Sequence, residues 1–301
     1  MRLEGFQETR MNIGDIEINV NYAGNGKPIL LLHGYPQTHM MWHRLVQRLV
    51  EQNFTVVVPD LRGYGDSAKP EGLTDHSNYS KRVMAEDQVK VMEALGFDKF
   101  NMVGHDRGAR VAHRLALDYP EKVISCTLMD ILPTYDMYQR TNMDFAKGYY
   151  HWFFLIQPVG IPERLIGSDP AFYLRSLLEA WSRNKGCFDE QMVEEYARAF
   201  CLSGAVHATC EDYRAAATID LVHDEEDRDK KIQAPLLVLW GEKGLVGKLY
   251  DVLGVWRERA ENVVGGPLPC GHFLPEEAPE ESYWALIEFL KQHNSPKMGG
   301  K

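Results

Sequence analysis

The chain has 301 residues and a formal net charge of −10, from 43 acidic and 33 basic side chains. This balance argues against a nucleic-acid partner, since phosphate binding relies on basic surface, and against adsorption to an anionic membrane. A hydrophobic fraction of 45% indicates a globular protein with a substantial core. Scattered cysteines, no signal-peptide pattern and no apolar run of about 18 residues predict a cytoplasmic protein outside the membrane.

The first third of the chain alternates strand and helix patterns. Residues Glu17–Tyr22 alternate apolar and polar side chains, as a half-exposed strand does. The apolar runs Lys27–His33 and Phe54–Pro59 indicate strands buried on both faces of a parallel sheet. Helical spacing of apolar residues predicts helices over Met40–Glu51 and Ser80–Leu95.

The same alternation continues through the next segment. We predict a strand at Phe100–Val103, a helix over Arg107–Tyr119 that ends before Pro120, and a strand at Val123–Met129. Alternating strands and helices predict an α/β fold with a mostly parallel sheet and helices on both faces.

From residue 135 to residue 231 the pattern becomes helical. The best helices are Pro170–Arg183, Asp189–Leu202 and Glu211–Asp220, and the charged segment Asp220–Lys231 is expected to be solvated. Strand character returns at Pro235–Trp240 and more weakly at Val263–Val264, before a last helix over Glu280–Gln292. We therefore predict a core domain of residues 1–134 and 232–301, with a helical cap domain at 135–231.

The segment Asn101–Arg110 carries the strongest chemical signal. It contains Gly-x-Asp-x-Gly around Asp106 and resembles the strand-to-helix elbow of α/β-hydrolases, in which a serine more often stands at that position. A serine there attacks acyl carbon, whereas a carboxylate can displace a leaving group from saturated carbon and form an ester. Asp106 therefore favours enzymes that open carbon–halogen or epoxide bonds.

A carboxylate nucleophile needs a base to activate water and an acid to orient that base. His272 follows the last sheet strand, which is the histidine position in the nucleophile–acid–histidine order of this fold. Many α/β-hydrolases carry the acid after the strand Pro235–Trp240, but this chain has Gly244 there. We therefore predict Asp130, at the end of Val123–Met129, as the acid. A capping role for Asp130 is the alternative.

The turn His33–Pro36 follows a buried strand and predicts an oxyanion hole. The main-chain N–H groups of Tyr35 and Arg107 are expected to converge on the Asp106 carbonyl. A simple turn is the alternative. The segment Leu61–Ser67, a phrase common in this superfamily, is interpreted as structural.

Arg107 and Arg110 lie three residues apart on the first turn of the elbow helix. Together with the helix N-terminus they predict a cationic pocket that binds a substrate carboxylate through planar guanidiniums. The alternative is that each arginine pairs with an acidic surface residue.

The sequence motifs His33–His39 and Gly104–Val111 resemble those of the haloacetate (fluoroacetate) dehalogenases. The resemblance covers essentially the whole chain. It implies that His151, Trp152 and Tyr213 bind the departing halide, that the protein is a homodimer, and that no cofactor or metal is needed. Imidazole, indole and phenol groups are suitable donors for a halide. An aromatic packing cluster is the alternative for His151 and Trp152.

The expected activity is conversion of fluoroacetate, chloroacetate or bromoacetate, as the small-molecule haloacid substrate, to glycolate and halide through an Asp106 ester. An epoxide hydrolase shares the Asp–His–acid set and could recruit Tyr149, Tyr150 or Tyr213. The arginine pair disfavours it, because a neutral epoxide gains nothing from two buried cations. A non-catalytic binding protein of the same fold is a further alternative, and it would predict a broken catalytic set.

Overall fold

A computed structural model describes residues 1–294 and contains one eight-stranded sheet with the order β1-β2-β4-β3-β5-β6-β7-β8. Strands β1, β2 and β4 pair antiparallel, and all pairs from β4 to β8 are parallel. The strands are β1 Gln7–Asn12, β2 Glu17–Ala23, β3 Lys27–Leu32, β4 Phe54–Pro59, β5 Phe100–His105, β6 Val123–Met129, β7 Leu236–Gly241 and β8 Val263–Leu268. The predicted α/β architecture with a mostly parallel sheet is confirmed.

Helices flank the sheet and fill the segment between β6 and β7. The first three are α1 Val46–Glu51, α2 Lys81–Ala94 and α3 Arg107–Asp118. The inserted helices are α4 Thr134–Gln139, α5 Met143–Gly148, α6 Tyr150–Phe154, α7 Ile161–Gly167, α8 Pro170–Trp181, α9 Glu190–Phe200, α10 Ala205–Ala217 and α11 Ile219–Glu226. The last four are α12 Val246–Leu249, α13 Val252–Arg259, α14 Leu274–Glu277 and α15 Pro279–Asn294. Short 3-10 helices occur at His39–Trp42, Ser77–Tyr79 and Pro120–Lys122.

The central strands are apolar because helices cover both of their faces. Every residue of β4 and β5 is buried, and so is the second half of β3. This is the burial that continuous apolar runs predict for a parallel sheet. The carboxyl ends of β3, β5 and β6 consequently meet at one edge, where Asp106 and Asp130 follow their strands directly.

Some predicted elements differ from the observed ones. The helix predicted over Met40–Glu51 is interrupted, with a 3-10 turn at His39–Trp42 and an α-helix only from Val46. The helix predicted over Glu211–Asp220 begins six residues earlier as α10, and α11 follows it. Strand β1 has no counterpart among the predictions, because its side chains are mostly exposed and its sequence is polar.

The charged segment predicted to be solvated is partly buried. Asp220 accepts a hydrogen bond from the main-chain N–H of Lys81 at 2.8 Å. Asp227 pairs with Arg114 and Arg82 at 2.6 and 2.8 Å. These ion pairs attach α11 to α2 and α3, so the charge density of the segment has a structural cause that composition alone does not reveal. None of the helices in residues 1–294 has the length and apolar character needed to span a membrane.

Candidate active site

The elbow at Asp106 depends on two glycines. Asp106 adopts φ 46° and ψ −117°, an unusual conformation for a residue other than glycine. A Cβ on Gly104 would lie 2.5 Å from the Cα of Ala109, and one on Gly108 would lie 2.3 Å from the carbonyl oxygen of His33. Larger residues would therefore push α3 away from β5 and β3. The glycines allow the chain to reverse sharply and present the carboxylate at the sheet edge.

The turn after β3 contributes a donor to this carboxylate. The main-chain N–H of Tyr35 donates to Oδ1 of Asp106 at 2.9 Å. Gly34 lies so close that a Cβ there would come within 2.5 Å of the Asp106 Cβ. In residues 1–294 the N–H of Arg107 makes no hydrogen bond to this carboxylate, so only one of the two predicted oxyanion donors is engaged. Within residues 1–294, Oδ2 accepts no hydrogen bond, and its nearest charged neighbour is Nε2 of His272 at 3.9 Å.

His33 holds the same turn in place. The N–H of Leu61 donates to its Nε2 at 3.0 Å, so Nδ1 carries the proton and donates to the carbonyl of Gly34, also at 3.0 Å. Burial lowers the pKa of His33, against the opposing charge of Asp60, and keeps the ring neutral. His33 is therefore a structural support for the Tyr35 amide.

The predicted base and acid lie together. Nδ1 of His272 is 2.6 Å from Oδ2 of Asp130, and its Nε2 is 3.9 Å from Oδ2 of Asp106. Oδ1 of Asp130 accepts the N–H of Gly241 at 3.0 Å. A Cβ on Gly244 would lie 3.7 Å from that oxygen. Acids placed after β6 or after β7 would therefore reach the same place beside the histidine.

The carboxylates and the histidine influence one another's protonation. Burial alone lowers the pKa of His272, but the hydrogen bond and charge of Asp130 and the charge of Asp106 outweigh it and raise the pKa. Burial opposes ionisation of Asp106, yet the charges of His272, His105, Arg107 and Arg110 hold its pKa below the usual value. Asp106 is thus a carboxylate at neutral pH, as a nucleophile must be.

The two arginines are fully buried but have different partners. Nε and Nη2 of Arg107 donate to the two carboxylate oxygens of Asp212 at 2.8 Å each, and Nη2 also donates to the Asp212 carbonyl at 2.9 Å. Nη1 of Arg107 is buried with no hydrogen-bond partner in residues 1–294. The alternative of an acidic partner therefore holds for Arg107, although that partner is buried and lies on α10.

Arg110 has no acidic partner within residues 1–294. Its Nη1 donates to the carbonyl of Leu132 and to Oγ1 of Thr134 at 3.0 and 2.9 Å, and its Nη2 contacts the sulfur of Met137 at 3.1 Å. The buried Nε has no hydrogen-bond partner in the same range. Burial and the charge of Arg107 lower the pKa of Arg110. A buried guanidinium without a countercharge is costly, and an anionic ligand would compensate it.

Three donors from the inserted helices surround the arginines. Tyr213 packs its ring 4.2 Å below the guanidinium of Arg107, and Trp152 lies 4.7 Å from that of Arg110. The rings of His151 and Tyr213 are 5.5 Å apart. In the described part of the chain, Nδ1 of His151, Nε1 of Trp152 and Oη of Tyr213 are buried without a hydrogen-bond partner. Aromatic packing explains why these rings are buried, but it does not explain why their polar atoms have no hydrogen-bond partner in the described residues.

Burial also sets the protonation of this group of donors. It lowers the pKa of His151 to about 3 and raises that of Tyr213 well above the usual value. His151 is therefore a neutral imidazole and Tyr213 a protonated phenol. Both can donate a hydrogen bond to an anion at neutral pH.

A narrow cavity leads to the carboxylate. Asp106, Asp130 and His272 lie on one part of its wall. Tyr149, His151, Trp181 and Arg183 from the inserted segment complete much of the rest. The ring of Trp181 is 4.5 Å from that of His151 and 5.5 Å from that of His272. This position allows a small ligand to reach Asp106 between the sheet edge and the inserted helices.

Several residues of this arrangement have no counterpart among the residues predicted from the sequence. Asp212 stands directly before Tyr213 in the chain, and Lys81 and Tyr64 both donate to its carboxylate. An acidic residue next to a predicted site tyrosine was a usable signal for Asp212. Trp181 ends α8 with no motif around it, so only the fold brings it to the cavity.

Comparison with known proteins supports this architecture. The model of the alpha/beta hydrolase fold family matches residues 27–279. The chain is 43% identical to a fluoroacetate dehalogenase of Burkholderia sp over 97% of this chain and 96% of that protein. It is 35% identical to a soluble epoxide hydrolase of Corynebacterium sp. over 89% of this chain and 91% of that one.

One solved structure is similar over nearly the whole length of the chain. The crystal structure of a putative alpha/beta hydrolase from Nostoc sp PCC 7120 superposes with a TM-score of 0.94 at 58% identity, covering 96% of this chain and 99% of that one. The elbow, the sheet order and these matches lead to one conclusion: the chain belongs to the alpha/beta hydrolase family.

Proposed function

We propose that the protein is a hydrolytic haloacetate dehalogenase that converts fluoroacetate, chloroacetate or bromoacetate to glycolate and halide. The observation that carries the proposal is the buried Arg110, which has no acidic partner in residues 1–294, beside the nucleophile candidate Asp106. A substrate carboxylate supplies the ion-pair partner that Arg110 lacks. The 43% identity to a fluoroacetate dehalogenase supports the same activity.

In the first step, Oδ2 of Asp106 attacks the α-carbon of the haloacetate. A carbon–oxygen bond forms, the carbon–halogen bond breaks, and the halide leaves with the bonding electron pair. Arg107 and Arg110 hold the substrate carboxylate, while His151, Trp152 and Tyr213 donate hydrogen bonds to the departing halide. These donors matter most for fluoride, which is a poor leaving group in their absence.

In the second step, His272 removes a proton from water and the resulting hydroxide attacks the ester carbonyl of Asp106. Negative charge develops on Oδ1, which the N–H of Tyr35 already contacts at 2.9 Å. The N–H of Arg107 is the second donor in this proposal. Asp130 holds Nδ1 of His272 and stabilises the imidazolium until its proton passes to the departing glycolate.

An epoxide hydrolase is the second candidate function. Tyr149 and Tyr213 are both buried, and the charge of Asp106 contributes to raising the pKa of each. They could therefore protonate an opening epoxide, and the 35% identity to a soluble epoxide hydrolase favours this reading. Tyr150 is 46% exposed and less suited to that role. A non-catalytic binding protein is disfavoured because the nucleophile, base and acid candidates lie together.

We also propose that residues 135–231 form a cap domain that closes over the substrate, and that the protein works as a cytoplasmic homodimer. The position of His151 and Trp181 in the wall of the cavity that contains Asp106 supports a cap. Light scattering on the purified protein tests the homodimer, and a substrate-dependent change in protease resistance of this segment tests the cap.

The function is tested by comparing three substrates at equal concentration: fluoroacetate, styrene oxide and a neutral haloalkane. Release of fluoride with no turnover of the epoxide or haloalkane is expected. The variant Arg110→Met should lose haloacetate activity through a raised KM. Epoxide turnover that survives Arg110→Met, without halide release by the parent protein, would overturn the proposal in favour of the second candidate.

A further inference from the structure

Asp212 receives an unusual number of donors for one carboxylate. It is fully buried on α10, directly before Tyr213. Its Oδ2 accepts Nε of Arg107 at 2.8 Å and the hydroxyl of Tyr64 at 2.6 Å. Its Oδ1 accepts Nη2 of Arg107 at 2.8 Å and Nζ of Lys81. Core helices α2 and α3 are thus joined to an inserted helix at a single side chain.

These bonds determine which part of Arg107 remains available. Asp212 occupies Nε with its carboxylate and Nη2 with its carboxylate and carbonyl. Only Nη1 is left without a partner in residues 1–294. In Arg110, Leu132, Thr134 and Met137 occupy both terminal nitrogens, and Nε alone is unpaired in that range.

The charges in this cluster are nearly balanced. Lys81 and Arg107 are opposed by Asp212 and by Asp220, whose Oδ2 lies 3.8 Å from Nζ of Lys81. Arg107 therefore has an ion-pair partner within the protein, whereas Arg110 forms no ion pair in residues 1–294 and interacts with Asp106 only at longer range. A carboxylate ligand would obtain most of its charge compensation from Arg110 and its orientation from Arg107.

We propose that Asp212 is a positioning residue for substrate binding, an inference that rests on the proposed function. By occupying the other donors of Arg107 it leaves Nη1 facing the substrate, so the carboxylate bridges Nη1 of Arg107 and Nε of Arg110. Because Asp212 and Tyr213 are consecutive on α10, Asp212 also fixes the position of the Tyr213 hydroxyl relative to the two arginines. The distance between the carboxylate site and the halide site is thereby set for a two-carbon substrate.

The test measures KM for chloroacetate in Asp212→Asn, a variant of nearly equal shape. Arg107 then loses its ion-pair partner and keeps the main-chain carbonyl of residue 212, while Lys81 keeps only Asp220 nearby. Arg107 is held less firmly, so KM should rise on the order of tenfold or more, as expected for loss of charge-assisted hydrogen bonds. A merely structural role would reduce the active fraction and Vmax while leaving KM unchanged.

The matched control is Asp87→Asn. Asp87 is buried and accepts Nε and Nη2 of Arg62 at 2.8 Å each, the same geometry outside the cavity. Its loss should lower thermal stability and leave KM unchanged. The double variant Lys81→Met with Asp212→Asn removes one charge of each sign and is expected to fold better than Asp212→Asn while keeping the raised KM.

Binding of acetate, measured by calorimetry, gives a readout that does not need turnover. Acetate should bind the parent protein and bind Asp212→Asn about tenfold more weakly. If the parent protein binds acetate but releases no halide, the proposed function fails while the positioning of Arg107 is still tested. An unchanged KM and acetate affinity in a folded Asp212 variant would overturn the proposal, as would failure of both Asp212 variants to fold.

Discussion

Nε2 of His272 lies 3.9 Å from Oδ2 of Asp106, whereas Nδ1 of the same ring lies only 2.6 Å from Asp130. His272 is thus hydrogen-bonded to Asp130 and separated from Asp106. A base that shared a hydrogen bond with Asp106 would weaken the carboxylate as a nucleophile. Under the proposed mechanism, the separation leaves Oδ2 available for attack and Nε2, which has no hydrogen-bond partner in residues 1–294, available to take a proton from water in the later step.

Replacement of His272 by Gln should stop the reaction at the ester. Alkylation of Asp106 does not need a base, but ester hydrolysis does, and its rate should fall roughly 10²- to 10⁴-fold. One halide per active site is then released in a burst, and mass spectrometry should find a carboxymethyl group on the peptide that contains Asp106. The control Asp106→Asn should show neither, and steady turnover by His272→Gln would contradict the assignment.

The pH dependence should separate the two steps. Asp130 and Asp106 raise the pKa of His272 in the free enzyme. Below that pKa the ring is protonated and cannot act as a base, so ester hydrolysis should be lost as the pH falls. Esterification removes the charge of Asp106, so the pKa of His272 should be lower in the ester than in the free enzyme. The rate of ester hydrolysis should therefore fall off at a lower pH than the pKa of His272 that NMR measures in the free enzyme.

Asp130→Asn provides the check on that shift. The substitution removes the negative charge of Asp130 and weakens its hydrogen bond to His272. Both of these raise the pKa of His272 in the parent protein. The acid limb should move further to lower pH and the maximal rate should fall. A limb that stays in place would assign the titration to another group.

The halide donors should be distinguished by leaving group. Tyr213→Phe keeps the ring that packs 4.2 Å from the Arg107 guanidinium but removes the buried, unpaired hydroxyl. Defluorination should fall on the order of tenfold or more, and debromination much less, because bromide needs less hydrogen-bond stabilisation. Equal losses with fluoroacetate and bromoacetate would place the hydroxyl outside the leaving-group site.

Gly34 should be intolerant of any side chain. A Cβ there would lie 2.5 Å from the Cβ of Asp106 and 2.9 Å from Nδ1 of His105. Gly34→Ala should displace the Tyr35 amide and lower kcat by about 10²- to 10³-fold, the usual effect of losing an oxyanion donor. Gly167→Ala is the control, since no atom within 4 Å would meet its Cβ, and it should leave kcat unchanged.

Arg183 should attract the anionic substrate against a net charge of −10. It is exposed in the cavity wall, and its guanidinium hydrogen-bonds main-chain carbonyls and makes no ion pair in residues 1–294. Arg183→Glu should lower kcat/KM roughly threefold to tenfold at low salt and less at high salt. Arg10→Glu makes the same change on the edge strand β1 and should have little effect on kcat/KM. Equal losses of kcat/KM in the two variants would show that the net charge of the protein, and not the position of Arg183, is responsible.

Much of the fold was predictable because burial on both faces leaves an apolar run, as in Phe54–Pro59. The Gly-x-Asp-x-Gly motif likewise identified Asp106, and the lack of an acid at Gly244 identified Asp130. The structure brings both carboxylates close to His272. Lys81 and Trp181 were not predictable in the same way. Their roles depend on how the inserted helices pack on the core, and no local pattern encodes that packing. The buried ion pairs of Asp220 and Asp227 were missed for the same reason.

The proposed mechanism requires a covalent ester between Asp106 and a carboxylate-bearing substrate. A single turnover of chloroacetate in ¹⁸O-labelled water, with enzyme in excess, shows whether this ester forms. We expect the label to enter the side chain of Asp106 and the first glycolate to carry unlabelled oxygen from the enzyme. Label that passes directly into glycolate, with none in Asp106, would contradict it.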